Sequence, residues 1–307
     1  MAADISSGGS STITTYQGQG ARMMLPAWVI IGFFLVLPVG MMLVYSFLTK
    51  EFRGGVIWDF SLAAYDQFFF DRGLFGDEPP KIEWTYITIF WRSIWQAAVA
   101  TVLCLLIGFP TAWFIATRAG PARSIWLFAI TIPYWVNLLI RTISMKFLIR
   151  DNGPLNEFLL AIGVIGEPIG LINTNFAVQL GLFYSYLPFM VLPIYASVER
   201  YNMAYSEAAA DLYASKWAAL RFVVLPIVKP GIIAGCILVF VPSLGAFLAP
   251  DLLGGAKNFM IGSLIEEQFK GNAGNWPFGA AASMILLSMV LVVLAFYARA
   301  QTKAGDR

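Results

Sequence analysis

Two groups of residues in this chain have the types and spacing to do something specific. The first is dense: Glu207, Ala208 and Ala209, then Asp211, Tyr213 and Ser215, then Leu225 and Pro226. Small and acidic side chains of this kind suit contact with another protein. The second group is scattered through apolar sequence: Trp135 and Asn137 beside Tyr134, then Gln179, Tyr184, Tyr186, Ser243 and Asp251. Aromatic faces with a carboxylate are groups that would receive an organic cation. Tyr and Trp also populate the interfacial belts of membrane proteins, and Asp251 could equally cap a loop. The chain has no histidine, which removes Ser-His-Asp and Cys-His nucleophiles, histidine-ligated zinc and histidine acid–base work. Cys104 and Cys236 both fall inside apolar runs and read as small buried hydrophobes, so no disulfide or metal site is expected.

The elements that must position these residues are membrane spans. The chain is 59% hydrophobic and 12% charged, whereas a soluble protein is about 25% charged. A net charge of +2 gives no basic field for nucleic acid. A spanning helix needs about 20 apolar residues. Uncharged runs at Met23–Thr49, Ser93–Thr117, Ser124–Ile140, Pro168–Val198, Pro230–Pro250 and Gly271–Ala298 meet or approach that length. The expected fold is therefore all-α and integral to the membrane, with six transmembrane helices. The first run exceeds a signal-peptide core and reads as an uncleaved helix. Arg92 and Arg141 disfavour a cation nearby and are expected to pair or to snorkel. Gly231 and Gly235 form a GxxxG pattern that lets helices pack closely.

Six spans place both termini on one side. With the termini inside, the cytoplasmic segments hold ten basic residues against five acidic ones, in keeping with the positive-inside rule. The chain then divides into a flexible cytoplasmic tail (1–22), a first span with its periplasmic loop (23–84), a transmembrane core (85–300) and a second cytoplasmic tail (301–307). The outer loops include Asp59, Asp66, Asp71, Asp77 and Glu78, and a stretch, "NEFLLAIGVIGEP", able to form a short surface helix.

In this orientation the first group lies in a cytoplasmic insert, "SEAAADLYASKWAALRFVVLPIVKPG", from Ser206 to Gly231. Ser206 can cap one helix and Ser215 a second. Glu207 suits the first helix's positive end. Trp217, Leu220 and Val224 repeat as one apolar stripe, and Pro226 and Pro230 end the segment. Two short helices with a turn near residues 213–215 result. Such an insert either rests on lipid or docks into a partner.

The same residues resemble the EAA loop of bacterial ABC-importer permeases. That pattern is Glu-Ala-Ala, three residues, Gly, a nine-residue spacer, then an Ile-x-Leu-Pro-like end. Glu207-Ala208-Ala209 and Val223-Val224-Leu225-Pro226 match it in register, while Tyr213 stands at the usual Gly position. Gly there suits a positive-φ turn, so Tyr213 either keeps the turn right-handed or takes a strained conformation. "IPYWVNLLIRT", "NGPLNEFLLAIGVI", "LPFMVLPIYASVE", "DLLGGAKNFMIG" and "WPFGAA" extend the likeness over residues 85–300, and resemble the spermidine/putrescine branch. The resemblance implies a second permease subunit, two cytoplasmic ATPase subunits docked on the loop, a periplasmic solute-binding protein and surrounding membrane lipid. It implies no cofactor in this chain, with ATP and Mg bound by the ATPases. Nothing here matches a P-loop; Gly254-Gly255-Ala256-Lys257 lacks the spacing, so this chain is not expected to be an enzyme. The solute implied is a polyamine. An amino acid derivative, an aminophosphonate or a metal ion remain alternatives, as does an ion-coupled secondary transporter, although no acidic residue lies mid-span to hold a coupling ion.

Overall fold

A computed structural model describes residues 10–51, 55–71, 81–270 and 274–305. Among the described residues, helices α1 (Ser10–Tyr45), α3 (Trp84–Ala116), α7 (Asn175–Glu199), α10 (Leu225–Leu244) and α12 (Trp276–Gly305) carry the long apolar stretches. Five helices can cross a membrane by length and composition, and a sixth span arises if one bent pair is counted. That pair begins with α4 (Pro121–Trp135) and α5 (Leu138–Ile149). Shorter helices are α2 (Ala63–Phe69), α6 (Pro154–Ala161), α8 (Ala204–Asp211), α9 (Lys216–Ala219) and α11 (Ile261–Phe269). Two small antiparallel hairpins, β1 (Leu48–Lys50) with β2 (Val56–Phe60) and β3 (Phe70–Asp71) with β4 (Lys81–Ile82), flank α2. The surface helix expected in "NEFLLAIGVIGEP" is α6.

The bundle is organised on α7, which packs against both α3 and α10. Without a hydrophobic force between helices in lipid, close approach through small residues has to supply the contact. Gly108 of α3 meets Met190, and an added Cβ would sit 2.9 Å from its Cγ. Gly235 of α10 presses on the same methionine at 2.8 Å. At Gly231 a Cβ would run into Ser197 and come within 2.6 Å of the Pro193 carbonyl. The GxxxG pattern is thus a packing device. Buried Cys104, Met190, Val191, Ile194, Val228 and Val239 fill the seam. Cys104 and half-buried Cys236 are free thiols within apolar packing. A polar tie fixes the register of α3 against α7: Gln96 donates to Asn175 Oδ1 at 2.7 Å, and Gln179 donates to the Gln96 carbonyl at 2.9 Å.

Three features differ from the sequence expectations. The third span is not one short helix over Ser124–Ile140. It breaks at Val136–Asn137, and the flanking helical segments are bent by 91°. Pro133 removes a helical N–H from the last turn of α4, and Asn137 then caps α5 by accepting from Leu139 N at 2.8 Å. Secondly, Pro226 and Pro230 do not end the insert. A π turn at Leu220–Val224 links α9 to α10, so Lys216–Leu244 runs as one helix with both prolines inside it. Leu225 N bonds to Leu220 O across the widened turn, which relieves the crowding a proline at the next position would cause. Thirdly, α1 starts at Ser10, so residues 10–22 of the expected tail are helical; extending an existing helix avoids the cost of nucleation. Residues 1–9 lie outside the described residues, as do Asp77, Glu78 and the last two residues of the second tail.

Gly235→Leu is expected to overpack the α7–α10 seam and cost about 1–3 kcal/mol. Gly40→Ala, with open space around the added carbon, should be neutral. Thermal unfolding of the two purified variants in detergent measures the difference.

Candidate functional site

The insert forms two helices at one end of the bundle. α8 begins at Ala204, one turn earlier than Ser206 predicts, because Asn202 accepts from Ala204 N at 3.0 Å. Ser206 is inside the helix, and its hydroxyl bonds to Tyr201 Oη at 2.6 Å. Glu207 still lies in the first turn, and Ser215 caps α9 by accepting from Ala218 N at 3.2 Å. Glu207, Ala208, Asp211, Tyr213, Ser215 and Pro226 are exposed; Ala209 and Leu225 are half-buried. The apolar stripe is graded: Val224 is buried in the bundle core, Leu220 packs against it, and Trp217 stands clear.

The turn between α8 and α9 resolves the question raised by Tyr213. Tyr213 N bonds to Ala210 O at 2.9 Å and Ala214 N to Ala209 O at 3.0 Å. This pair of bonds is a Schellman motif, and it requires a left-handed residue at Tyr213. Its φ is +60°. The end of α6 is built the same way: Gly163 N bonds to Leu160 O, Val164 N to Leu159 O, and φ at Gly163 is +72°. One copy of the motif uses glycine and the other tyrosine, at a cost of roughly 1–2 kcal/mol for the L side chain. The Tyr213 ring is 98% exposed, so no packing within this chain repays that cost.

The second group converges in part. Trp135, Asn137 and Tyr186 line one open cavity at the elbow between α4 and α5, together with Tyr134, Arg141, Ser185 and Phe189. A neighbouring cavity shares Leu138, Ser185 and Tyr186 and continues along Leu182 to Gly245–Ala249. Tyr184 faces the elbow through its ring, whose centre is 5.6 Å from the Arg141 guanidinium carbon. Ser243 lies elsewhere: it is fully buried and donates to Val239 O at 2.6 Å within its own helix. Asp251 lines neither cavity. Its charge acts on Lys270, whose pKa is raised first by hydrogen bonding to Glu266 and further by Asp251 and Glu267. Gln179 is committed to the α3–α7 tie.

Arg141, expected to pair or to snorkel, is buried within the chain. It does not snorkel and, among the described residues, no carboxylate pairs with it. It is 7% exposed, its Nη1 reaches the Pro133 carbonyl at 3.4 Å, and its Nε has no acceptor. The 91° bend carries it inward, between the rings of Tyr134 and Tyr184. Each ring contact contributes about 0.5–2 kcal/mol. An unpaired buried charge costs several kcal/mol, so the rings do not balance it. The available signal was an arginine with uncharged sequence on both sides, since an ionisable residue inside a span by default marks a site. Arg92 is tied to the Lys257 carbonyl, and Arg123 joins α4 to α7 through Glu199 and the Tyr195 hydroxyl.

The family described as "Binding-protein-dependent transport system inner membrane component" matches residues 108–303. The spermidine/putrescine transport system permease protein PotB of Escherichia coli is 40% identical over 273 residues, covering 89% of this chain and 94% of that protein. The protein of the same name in Haemophilus influenzae is 36% identical over 274 residues, covering 89% and 90%. Among solved structures, a bacterial ABC transporter involved in import of the acidic polysaccharide alginate superposes with a TM-score of 0.65 at 17% identity, covering 95% of this chain and 98% of that one.

Tyr213→Gly is expected to preserve the α8–α9 turn and to hold or raise its stability. Tyr213→Val, β-branched at a left-handed position, should weaken it by about 1 kcal/mol. Hydrogen exchange at the amides of residues 213 and 214 reports both changes.

Proposed function

Because the chain belongs to the family of binding-protein-dependent transport system inner membrane components, we propose that it forms half of the path through which an ATP-driven importer takes up a polyamine of the spermidine/putrescine type. It is a multi-pass inner-membrane permease subunit of an ABC importer, and the ATPase activity of such systems resides in other subunits. The single observation that carries the solute assignment is the 40% identity to a spermidine/putrescine permease, sustained over 89% of the chain. The aromatic lining of the elbow supports it, since Tyr134, Trp135 and Tyr186 offer ring faces to an ammonium group.

In this reading residues 85–300 are the permease core, both termini are cytoplasmic, and a second permease subunit completes the path. Two ATPase subunits act on the pair, one on the loop of each. Glu207, Ala208, Ala209 and Asp211 present a small acidic helix to the ATPase, Tyr213 and Ser215 form its turn, and Leu225 and Pro226 join it to α10. Closure of the ATPases moves α8 and α9, and the unbroken helix Lys216–Leu244 carries that movement into the membrane. A periplasmic binding protein delivers the solute to the opposite face. Trp135, Asn137, Tyr184 and Tyr186 are path residues; Ser243, near the end of α10, and Asp251, in the turn Pro250–Gly254, line neither described cavity. A second reading, a solute bearing a carboxylate or phosphonate, is favoured by the unpaired Arg141 alone.

Two outcomes test this. Proteoliposomes holding this chain, its second permease and its ATPase should accumulate labelled putrescine or spermidine only when ATP and the binding protein are supplied. A binding protein that ignores both polyamines and binds an anion would overturn the solute assignment. Glu207→Lys should reduce solute-stimulated ATP turnover to its basal level while the melting temperature of the complex stays unchanged. Normal stimulation in that variant would remove the loop's coupling role.

A further inference from the structure

Among the described residues, those lining the elbow cavities include a fixed positive charge and no negative one. Arg141 lies against α4 and α7, and its helix α5 also packs on the turn Pro250–Gly254. From α4 and α7 the titratable groups facing it are Tyr134 and Tyr184, which meet it through their rings, and Tyr186, which shares its cavity. Asp251 of that turn does not line the Arg141 cavity, and its charge acts on Lys270. The cavity beyond Arg141 adds only neutral groups, from Trp135, Asn137, Ser185 and Tyr186. As a residue Arg141 is only 7% exposed, and its buried Nε has no acceptor. A buried cation in this state calls for an anion that the described residues do not supply.

We propose that Arg141 pairs, across the solute path, with a carboxylate of the second permease subunit. The proposal rests on the reading that the elbow lines a path shared by two permeases. Charge supports the choice of partner. A polyamine carries no carboxylate, so the solute cannot neutralise Arg141. A path for a polycation must nevertheless offer negative charge, and the described cavity residues of this half offer none. The other half must therefore carry the acids, which would be left in excess whenever the path is empty. Arginine suits that position: its planar fork binds a carboxylate through two parallel hydrogen bonds while its faces stack on the two tyrosines.

The test uses the complete transporter in proteoliposomes with its binding protein, labelled putrescine and ATP. Arg141→Glu should lower uptake by at least about tenfold, with assembly by size exclusion unchanged. Each Asp and Glu within the spans of the second permease is then changed singly to Arg. One such change, itself impaired, should restore uptake to within about threefold of wild type when combined with Arg141→Glu. If no combination recovers uptake, or if Arg141→Glu transports normally, the pairing is wrong. If instead Arg141→Gln loses only solutes that bear a carboxylate, the arginine reads the solute and the proposal also fails. Failure of the polyamine reading is distinguishable, because the wild-type complex would then take up no putrescine. The charge swap would in that case be scored on ATP turnover stimulated by the binding protein.

Discussion

A backbone surrounded by lipid must satisfy its own polar groups, because no water is present to do so. Much of this structure is a set of answers to that demand at the places where the sequence makes it hard. α3, α7 and α10 all contain proline, and each proline removes a donor. Where Pro133 ends α4, Asn137 starts the next helix with its own side chain. Where Pro226 would interrupt the insert, a π turn widens the helix and lets it continue. Two answers to the same problem give opposite mechanical results: a sharp elbow in the first case and a continuous rod in the second.

α7 is where these consequences meet. Its two neighbours approach through glycines that share one contact, the Met190 side chain, so α3 and α10 are both referred to the same point. The Gln96–Gln179–Asn175 tie fixes the register along that seam. The elbow then lies against a stable surface. Tyr134 packs edge-on against Phe189 of α7 at 5.0 Å, and the Arg141 guanidinium stacks on Tyr184 of the same helix. The cavity is therefore framed by the most constrained helix of the bundle on one side and by the broken span on the other.

The existence of the spans, the two-helix insert, the Ser215 cap and the packing role of Gly231 and Gly235 were all legible, because each rests on local composition or spacing. The left-handed Tyr213 was half legible: the position called for positive φ, and only the backbone could say whether tyrosine would accept it. The elbow and the π turn were not legible. A proline in a run of apolar residues is compatible with a kink, a break or a continuous helix, and the outcome depends on whether neighbouring groups can take up the freed carbonyl. Of the two expectations for Arg141, snorkelling fails for the same reason, since it assumes a straight helix with an end nearby. Ser243 and Asp251 qualified on residue type and depth alone, and neither faces the cavity that Trp135, Asn137 and Tyr186 share.

The π turn also sets a length scale. At 1.5 Å per residue, the 29 residues from Lys216 to Leu244 make a rod about 44 Å long. If its middle were held at the Gly231–Gly235 crossing, a tilt of about 5° would move each end by roughly 2 Å in opposite directions, on the geometry of a rigid helix. A displacement of that size is smaller than a side chain and larger than the slack in a packed seam. Gearing of this kind favours small, forceful strokes over wide ones. If the insert is driven as proposed, the stiffness of five residues, Leu220–Val224, determines how much of each stroke arrives.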